Sequence, residues 1–243
     1  MKKKEWVLKN PKDLMVGNSY YQINGVKYHR VTKIKNIINN EGLNIYRAKS
    51  DYDESQKYMH IRGKLGKTVH ALFQKILEGK NVDIKRYETE IKEDITMFKE
   101  LVNNCHLQPE ALEQVLYSMS LSAAGTADYI GSYKSYIPYL PLRGRGKNRK
   151  HMQPRFLNLS HVVGDWKTSP RIHPDFWIQL AAYLFMFEEQ TGIKLDGGFI
   201  AQFRDNKMTV EEKTYDELAP YYTLFKHCIP LLEFRKNILP KGE

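Results

Sequence analysis

Residues 162–183, VVGDWKTSPRIHPDFWIQLAAY, join two different periodicities across a proline. The first half opens with Val162 and Val163 and reaches Asp165, Trp166 and Lys167, a pattern that predicts a short strand. After Pro170 the apolar residues Ile178, Ala181, Ala182, Phe185 and Met186 recur at helical intervals to about Thr191. Another apolar run, GGFIAQF at 197–203, follows. A strand, a helix and a second strand in succession constrain the chain to an α/β architecture. On the strand, Asp165 and Lys167 stand two residues apart and share one face.

The flanking sequence supplies the other elements. YYQINGVKYHRVT, at 20–32, places two β-prone runs around Asn24-Gly25, the signal for a two-residue hairpin. A short helix is expected through Ile34, Ile37 and Ile38, ending near Gly42, and a partly helical stretch over 43–58. In 63–79, Val69, Leu72, Phe73 and Ile76 form one helix face, and Gly79 suits the position that ends it. A longer helix is expected over 83–104 from Ile84, Tyr87, Ile91, Ile95, Phe98 and Val102, with Gln108-Pro109 closing this helical half. Strands are then expected at 115–121, with Glu113 just before, and at 125–133, with Asp128 inside. A turn at Asp205-Asn206 should return a strand at 208–213, and a final helix should fill 216–237.

The net charge of +10 and pI of about 9.3 favour a polyanionic partner, nucleic acid before an anionic membrane. Part of that charge is local. Residues 134–161 contain Lys134, Arg143, Arg145, Lys147, Arg149, Lys150 and Arg155, no acid, and several Gly and Pro residues. Such an insertion can follow a phosphate backbone. Two cysteines, Cys105 and Cys228, lie far apart and argue against a disulfide framework, a zinc finger and a four-cysteine iron–sulfur site. No apolar run spans a bilayer, and no secretory signal opens the chain, so an intracellular setting is expected.

Asp128, Asp165 and Lys167 carry the chemistry. An acid in a strand interior is unusual unless it is exposed, paired or bound to metal. Two acids from adjacent strands suit Mg2+, which prefers carboxylate oxygens and retained water. A lysine alongside can orient a nucleophile and stabilise charge on a phosphate. The carbonyl of Trp166, between the two side chains, is a further candidate ligand, and Glu113 and His70 are candidate outer or second-metal ligands. Gln179 and Tyr183 are i and i+4 and so share a helix face, placed either to contact a nucleic-acid backbone or to fix the strand.

Taken in order, these motifs resemble the PD-(D/E)xK nuclease superfamily on its RecB-type branch, and within it the mitochondrial genome-maintenance exonuclease family and related phage exonucleases. The resemblance rests on GKTVH ending at His70, on Glu113, and on G-x-x-D from Gly125 to Asp128. It continues with D-x-K-T-S from Asp165 through Lys167 and Thr168 to Ser169, and Q-x-x-x-Y from Gln179 to Tyr183. It covers roughly 63–237, and five motifs in order are far more specific than any one. Two departures stand out. The connection between Asp128 and Asp165 is longer than is usual in the family, filled by the basic insertion. The cysteines that hold an iron–sulfur cluster in some relatives are absent, so Mg2+ or Mn2+ alone is implied.

The resemblance implies a restriction-endonuclease-like mixed β-sheet flanked by helices, with an N-terminal hairpin and helical subregion. One domain would cover 1–243: an N-terminal part to 110, a catalytic sheet over 111–215 and a C-terminal helix from 216. The implied activity is metal-dependent DNA hydrolysis, exonucleolytic on single-stranded or end-bearing DNA, in replication, recombination or repair with a partner protein of such a pathway. Thr168, Ser169 and the basic residues of the insertion would contact DNA. Two alternatives stay open: a structure-specific or nicking endonuclease on the same site, and a non-catalytic basic DNA-binding protein. RNA is not excluded as substrate.

Overall fold

The computed structural model describes residues 8, 10–17, 19–38, 52–135 and 157–238. Eight strands form one mixed sheet. In chain order they are β1 (Leu14–Val16), β2 (Tyr20–Ile23), β3 (Val26–Arg30), β4 (Gln108–Ser118), β5 (Ala123–Ser132), β6 (His161–Lys167), β7 (Gly197–Arg204) and β8 (Lys207–Thr214). The helices are α1 (Val31–Lys35), α2 (Tyr52–Leu77), α3 (Thr89–Asn104), α4 (Pro174–Thr191) and α5 (Tyr215–Ile238). The sheet runs β1-β2-β3-β5-β6-β7-β8, with β4 paired to β5. This is the mixed α/β sheet with flanking helices that the sequence implies, consistent with a restriction-endonuclease-like architecture.

The two turns read from the sequence follow from their residues. Asn24 and Gly25 (φ 50° and 81°) connect β2 to β3, and Asp205 and Asn206 (φ 51° and 52°) connect β7 to β8. Positive φ at both central positions matches the right-handed twist of the flanking strands, which is why Asn, Asp and Gly occupy them. β6 and β7 run parallel, so a crossover must join them. Helix α4 supplies it, with Pro174 in its first turn and Gly192 in the left-handed conformation at its end.

Alternation along the strands divides the core into two layers. Val163 and Ile200 face α1, α4 and α5 and pack with Ile34, Leu184 and Phe225. Val162, Trp166 and Phe199 face α2 and α3 and pack with Val69, Phe73 and Phe98. In the second layer Phe73 and Phe98 stack at 3.8 Å, and both meet Trp166 edge-on, at 6.3 and 5.0 Å. Each such pair adds about 0.5–1.5 kcal/mol beyond area burial. The cluster ties α2, and with it His70, to the catalytic-strand candidate β6.

The decisive topological feature is a fork on one edge of β5. Its whole length pairs with β4 on one side. On the other side β3 pairs only at Ala123 and Ala124, and β6 only from Tyr129 to Ser132. Gly125 to Asp128 therefore lie on an edge between two diverging strands.

The structure revises several expected boundaries. Helix α3 begins at Thr89, not at Asp83. The Asp83 carboxylate accepts the Lys85 N–H and Tyr87 N–H bonds the Ile84 carbonyl, so turns occupy the segment before it. β4 starts at Gln108, where a closing loop was expected, and so contains Glu113. Pro109 is tolerated because the register shifts just after it, and β4 has a ladder partner on one side only among the described residues. Helix α2 extends back to Tyr52, and β1 is an additional short strand. The expected features within 39–51 and 136–156 lie outside the described residues.

Candidate active site

The fork gathers the predicted residues. His70 comes from α2, Glu113 from β4, Asp128 from β5, Asp165 and Lys167 from β6, and Gln179 and Tyr183 from α4. Where the β5–β6 ladder stops, the Trp166 N–H donates 2.9 Å to the Asp128 carboxylate instead of to a strand carbonyl. The side chain thereby completes the edge that the diverging backbone leaves open. His70 Nδ1 lies 3.4 Å from the same carboxylate oxygen. The register on either side places Glu113 opposite Asp128, and Glu113 holds a left-handed backbone (φ 47°) inside its strand. One donor atom each from His70, Glu113 and Asp128 lies within 4.8 Å of the others.

Asp165 does not join those three. It is 1% exposed, and its Oδ2 forms an ion pair with Lys167 Nζ at 2.5 Å. Gln179 Nε2 donates to Asp165 Oδ1 at 3.3 Å and to the Tyr183 hydroxyl oxygen at 3.1 Å. Both of these α4 side chains are buried. Their hydrogen bonds tie α4 to β6 at Asp165. Gly125 belongs to this packing: a Cβ there would lie 2.5 Å from Tyr183 Cε1. The Lys167 ammonium also sits 4.9 Å from the centre of the Phe176 ring.

The electrostatics differ from group to group. Burial would raise the Asp128 carboxyl, but His70 and Lys167 outweigh it and hold it below the ordinary carboxylate range. Burial would lower His70, and the same Asp128 charge keeps it raised. Burial pushes Asp165 up, with Lys167 opposing and Asp128 adding to the rise. Glu113 is pushed up to about 7 by burial and by the Asp128 charge. Burial also drives the Tyr183 hydroxyl well above its usual value. Asp128 and His70 thus favour each other's charged form, while Glu113 beside them is the carboxyl that burial and the Asp128 charge disfavour.

The donor set of one imidazole and two carboxyl groups fits a hard divalent cation. Carboxylate oxygens suit Mg2+, and an imidazole among them is well accepted by Mn2+. Trp166 touches the site through its main chain, its N–H being committed to Asp128.

Sequence reasoning missed three contributors. Arg62 donates to the Thr168 carbonyl at 3.2 Å and to both Glu90 carboxylate oxygens. Gln202 donates to the Ser169 carbonyl at 2.6 Å. Buried Lys35 pairs with Asp175 and lies over the other contact of Lys167, the Phe176 ring. A signal for the first was present: Arg62, Gly66 and His70 recur every four residues, one stripe of α2. The stripe lies along the end of β6, with Gly66 so close to Thr168 Oγ1 that a Cβ would stand 3.2 Å away. Arg143, Arg145, Lys147, Arg149, Lys150 and Arg155 lie outside the described residues.

No protein-family model and no curated protein matches the chain. Among solved structures, one described as a "Putative exonuclease" from Eubacterium rectale aligns over 86% of this chain and 81% of its own, with 14% identity and a TM-score of 0.48. A protein called SSO0001 aligns over 83% and 75%, with 15% identity and a TM-score of 0.36. At these values neither likeness bears on what this chain does. Among the described residues, no helix is long and apolar enough to cross a membrane.

Proposed function

We propose that this chain is a metal-dependent DNA nuclease of the PD-(D/E)xK type, an exonuclease on single-stranded or end-bearing DNA in replication, recombination or repair. The observation that carries the reading is the convergence of His70, Glu113 and Asp128 beside the Asp165–Lys167 pair. His70, Glu113 and Asp128 would hold Mg2+ or Mn2+, with Asp165 and the Trp166 main chain adjacent. Bound there, the ion supplies Lewis-acid chemistry, lowering the pKa of a water and offsetting charge on the phosphate.

The protein's own groups do the positioning. Lys167 stands at the site as a fixed ammonium, held between Asp165 and the Phe176 face, and orients the attacking water against the phosphate. Gln179 and Tyr183 keep Asp165 in place. Arg62 and Gln202 hold the carbonyls of Thr168 and Ser169, which turn the chain at the mouth of the site. The net charge of +10 and the basic residues at 143–155 favour a polyanion.

End-labelled single- and double-stranded DNA, incubated with Mg2+ and with chelator, tests the reading. Cleavage should require the metal and should fall roughly 100- to 1,000-fold in Lys167→Ala while DNA binding persists. Cleavage that is equally fast in Lys167→Ala would remove the mechanism. Closed single-stranded circles cut as rapidly as linear strands would replace the exonuclease with an endonuclease.

A further inference from the structure

Next to the donor cluster, on the α2 side of the sheet, is a cavity of about 360 Å3. His70 and Lys167 form part of its lining, so an occupant would abut the reacting centre. Its lining includes Tyr58 and Pro170, and Tyr58 is 44% exposed. Arg62 and Arg204 complete it. Arg204 is oriented by three contacts: Nη2 donates to the Tyr58 hydroxyl at 3.4 Å, Nε is 3.1 Å from Asp205, and Nη1 is 3.8 Å from Glu90. Arg62 is held by Glu90 and the Thr168 carbonyl. An aromatic ring at the rim and two pre-positioned guanidinium groups behind it make a combination suited to a flat heterocycle attached to a phosphate.

We infer that this cavity receives one unpaired nucleobase, that of the nucleotide adjoining the scissile phosphate. The inference rests on the nuclease reading for the identity of the neighbouring site, and it narrows the substrate to a strand that is unpaired at the cut. A base inside a duplex is stacked on both faces and bonded along its pairing edge, so it cannot enter. Tyr58 stacks on the base, and Arg204 and Arg62 face its edge or its phosphate. A blunt duplex must fray before it is cut.

Two readouts test this, one independent of cleavage. In chelator, binding of a short single-stranded oligodeoxynucleotide carrying 2-aminopurine is followed by fluorescence, with a blunt duplex of the same sequence beside it. Tyr58→Ala should weaken single-strand binding roughly 5- to 100-fold, while Tyr58→Phe and Tyr58→Trp retain it and duplex binding does not change. With Mg2+, Tyr58→Ala should raise KM for single strands more than it lowers kcat. Circular dichroism should show the fold retained, since alanine favours the helix. Wild-type binding by Tyr58→Ala would overturn the inference, as would a loss in Tyr58→Phe equal to that in alanine, which would assign the role to the hydroxyl bond with Arg204. If no variant cleaves yet Tyr58→Ala still loses binding, the nuclease reading falls and the base pocket stands. If cleavage is robust and Tyr58→Ala binds as wild type, the reverse holds.

Discussion

The two sides of the forked strand treat their acids in opposite ways. Toward α4, Asp165 is almost wholly buried and is held by Lys167 and Gln179, with Tyr183 beneath. Toward α2, His70, Glu113 and Asp128 are half-buried and converge on a shared space that adjoins an open cavity. One side is a sealed scaffold, in which burial still pushes the Asp165 carboxyl up despite Lys167. The other is a receptive surface whose carboxylates repel each other. The difference teaches which residues should respond to a ligand and which should respond only to packing.

The largest effect should come from cutting the link between the two sides. Lys167→Ala is expected to lower cleavage roughly 100- to 1,000-fold, read as initial rates at saturating DNA. A comparable loss in His70→Ala with unchanged metal affinity would erase the distinction drawn here. Next, Gly125→Ala should strike the sealed side alone. Its new methyl group drives the Tyr183 ring away, and the buried surroundings give it little room. A stability loss of about 1–3 kcal/mol is expected in urea unfolding, with Mn2+ affinity per folded molecule unchanged. His70→Ala should do the converse, weakening Mn2+ binding by about 10-fold in calorimetry with little change in the urea midpoint.

The smallest effect contrasts two buried acids. Asp94 on α3 is 2% exposed with an Oδ2 that has no hydrogen bond, and the strongest charge acting on it is Glu90, whereas the strongest acting on Asp165 is Lys167. Burial and Glu90 push its carboxyl up to about 6. A carboxyl raised above its unfolded value favours the fold when protonated. Its contribution is therefore fullest below about pH 4 and is lost as pH rises through about 6. Asp94→Asn should be more stable than wild type at pH 8 by about 1–2 kcal/mol, and the gap should close by pH 4. Equal differences at both pH values would show that burial and Glu90 do not burden the Asp94 charge.

Much of the fold was legible because it rests on short-range pattern. The Asn24-Gly25 and Asp205-Asn206 turns, the β6 strand and the α4 helix follow from residues within a few positions of one another. The convergence of Asp128, Asp165 and Lys167 was suggested by motif order. The fork was not legible, since it arises where β3 and β6 share one edge of β5, a relation between segments more than a hundred residues apart. The start of β4 was hidden for a related reason: Pro109 reads locally as a breaker, and only an edge position makes it a strand residue. For Gln179 and Tyr183 the sequence left two roles open, because their i, i+4 spacing fixes a shared helix face and not what lies beneath it.

The left-handed backbone of Glu113 carries a consequence of its own. A non-glycine residue in that conformation costs about 1–3 kcal/mol relative to an unstrained position, and its carboxyl is further penalised by burial opposite Asp128. Nothing about folding asks for glutamate here; glycine would relax both burdens. A chain selected only for durability would drift to Glu113→Gly and become sturdier while losing a donor. A library screened separately for thermal tolerance and for cleavage should therefore split at this position, glycine being enriched in the first screen and depleted in the second.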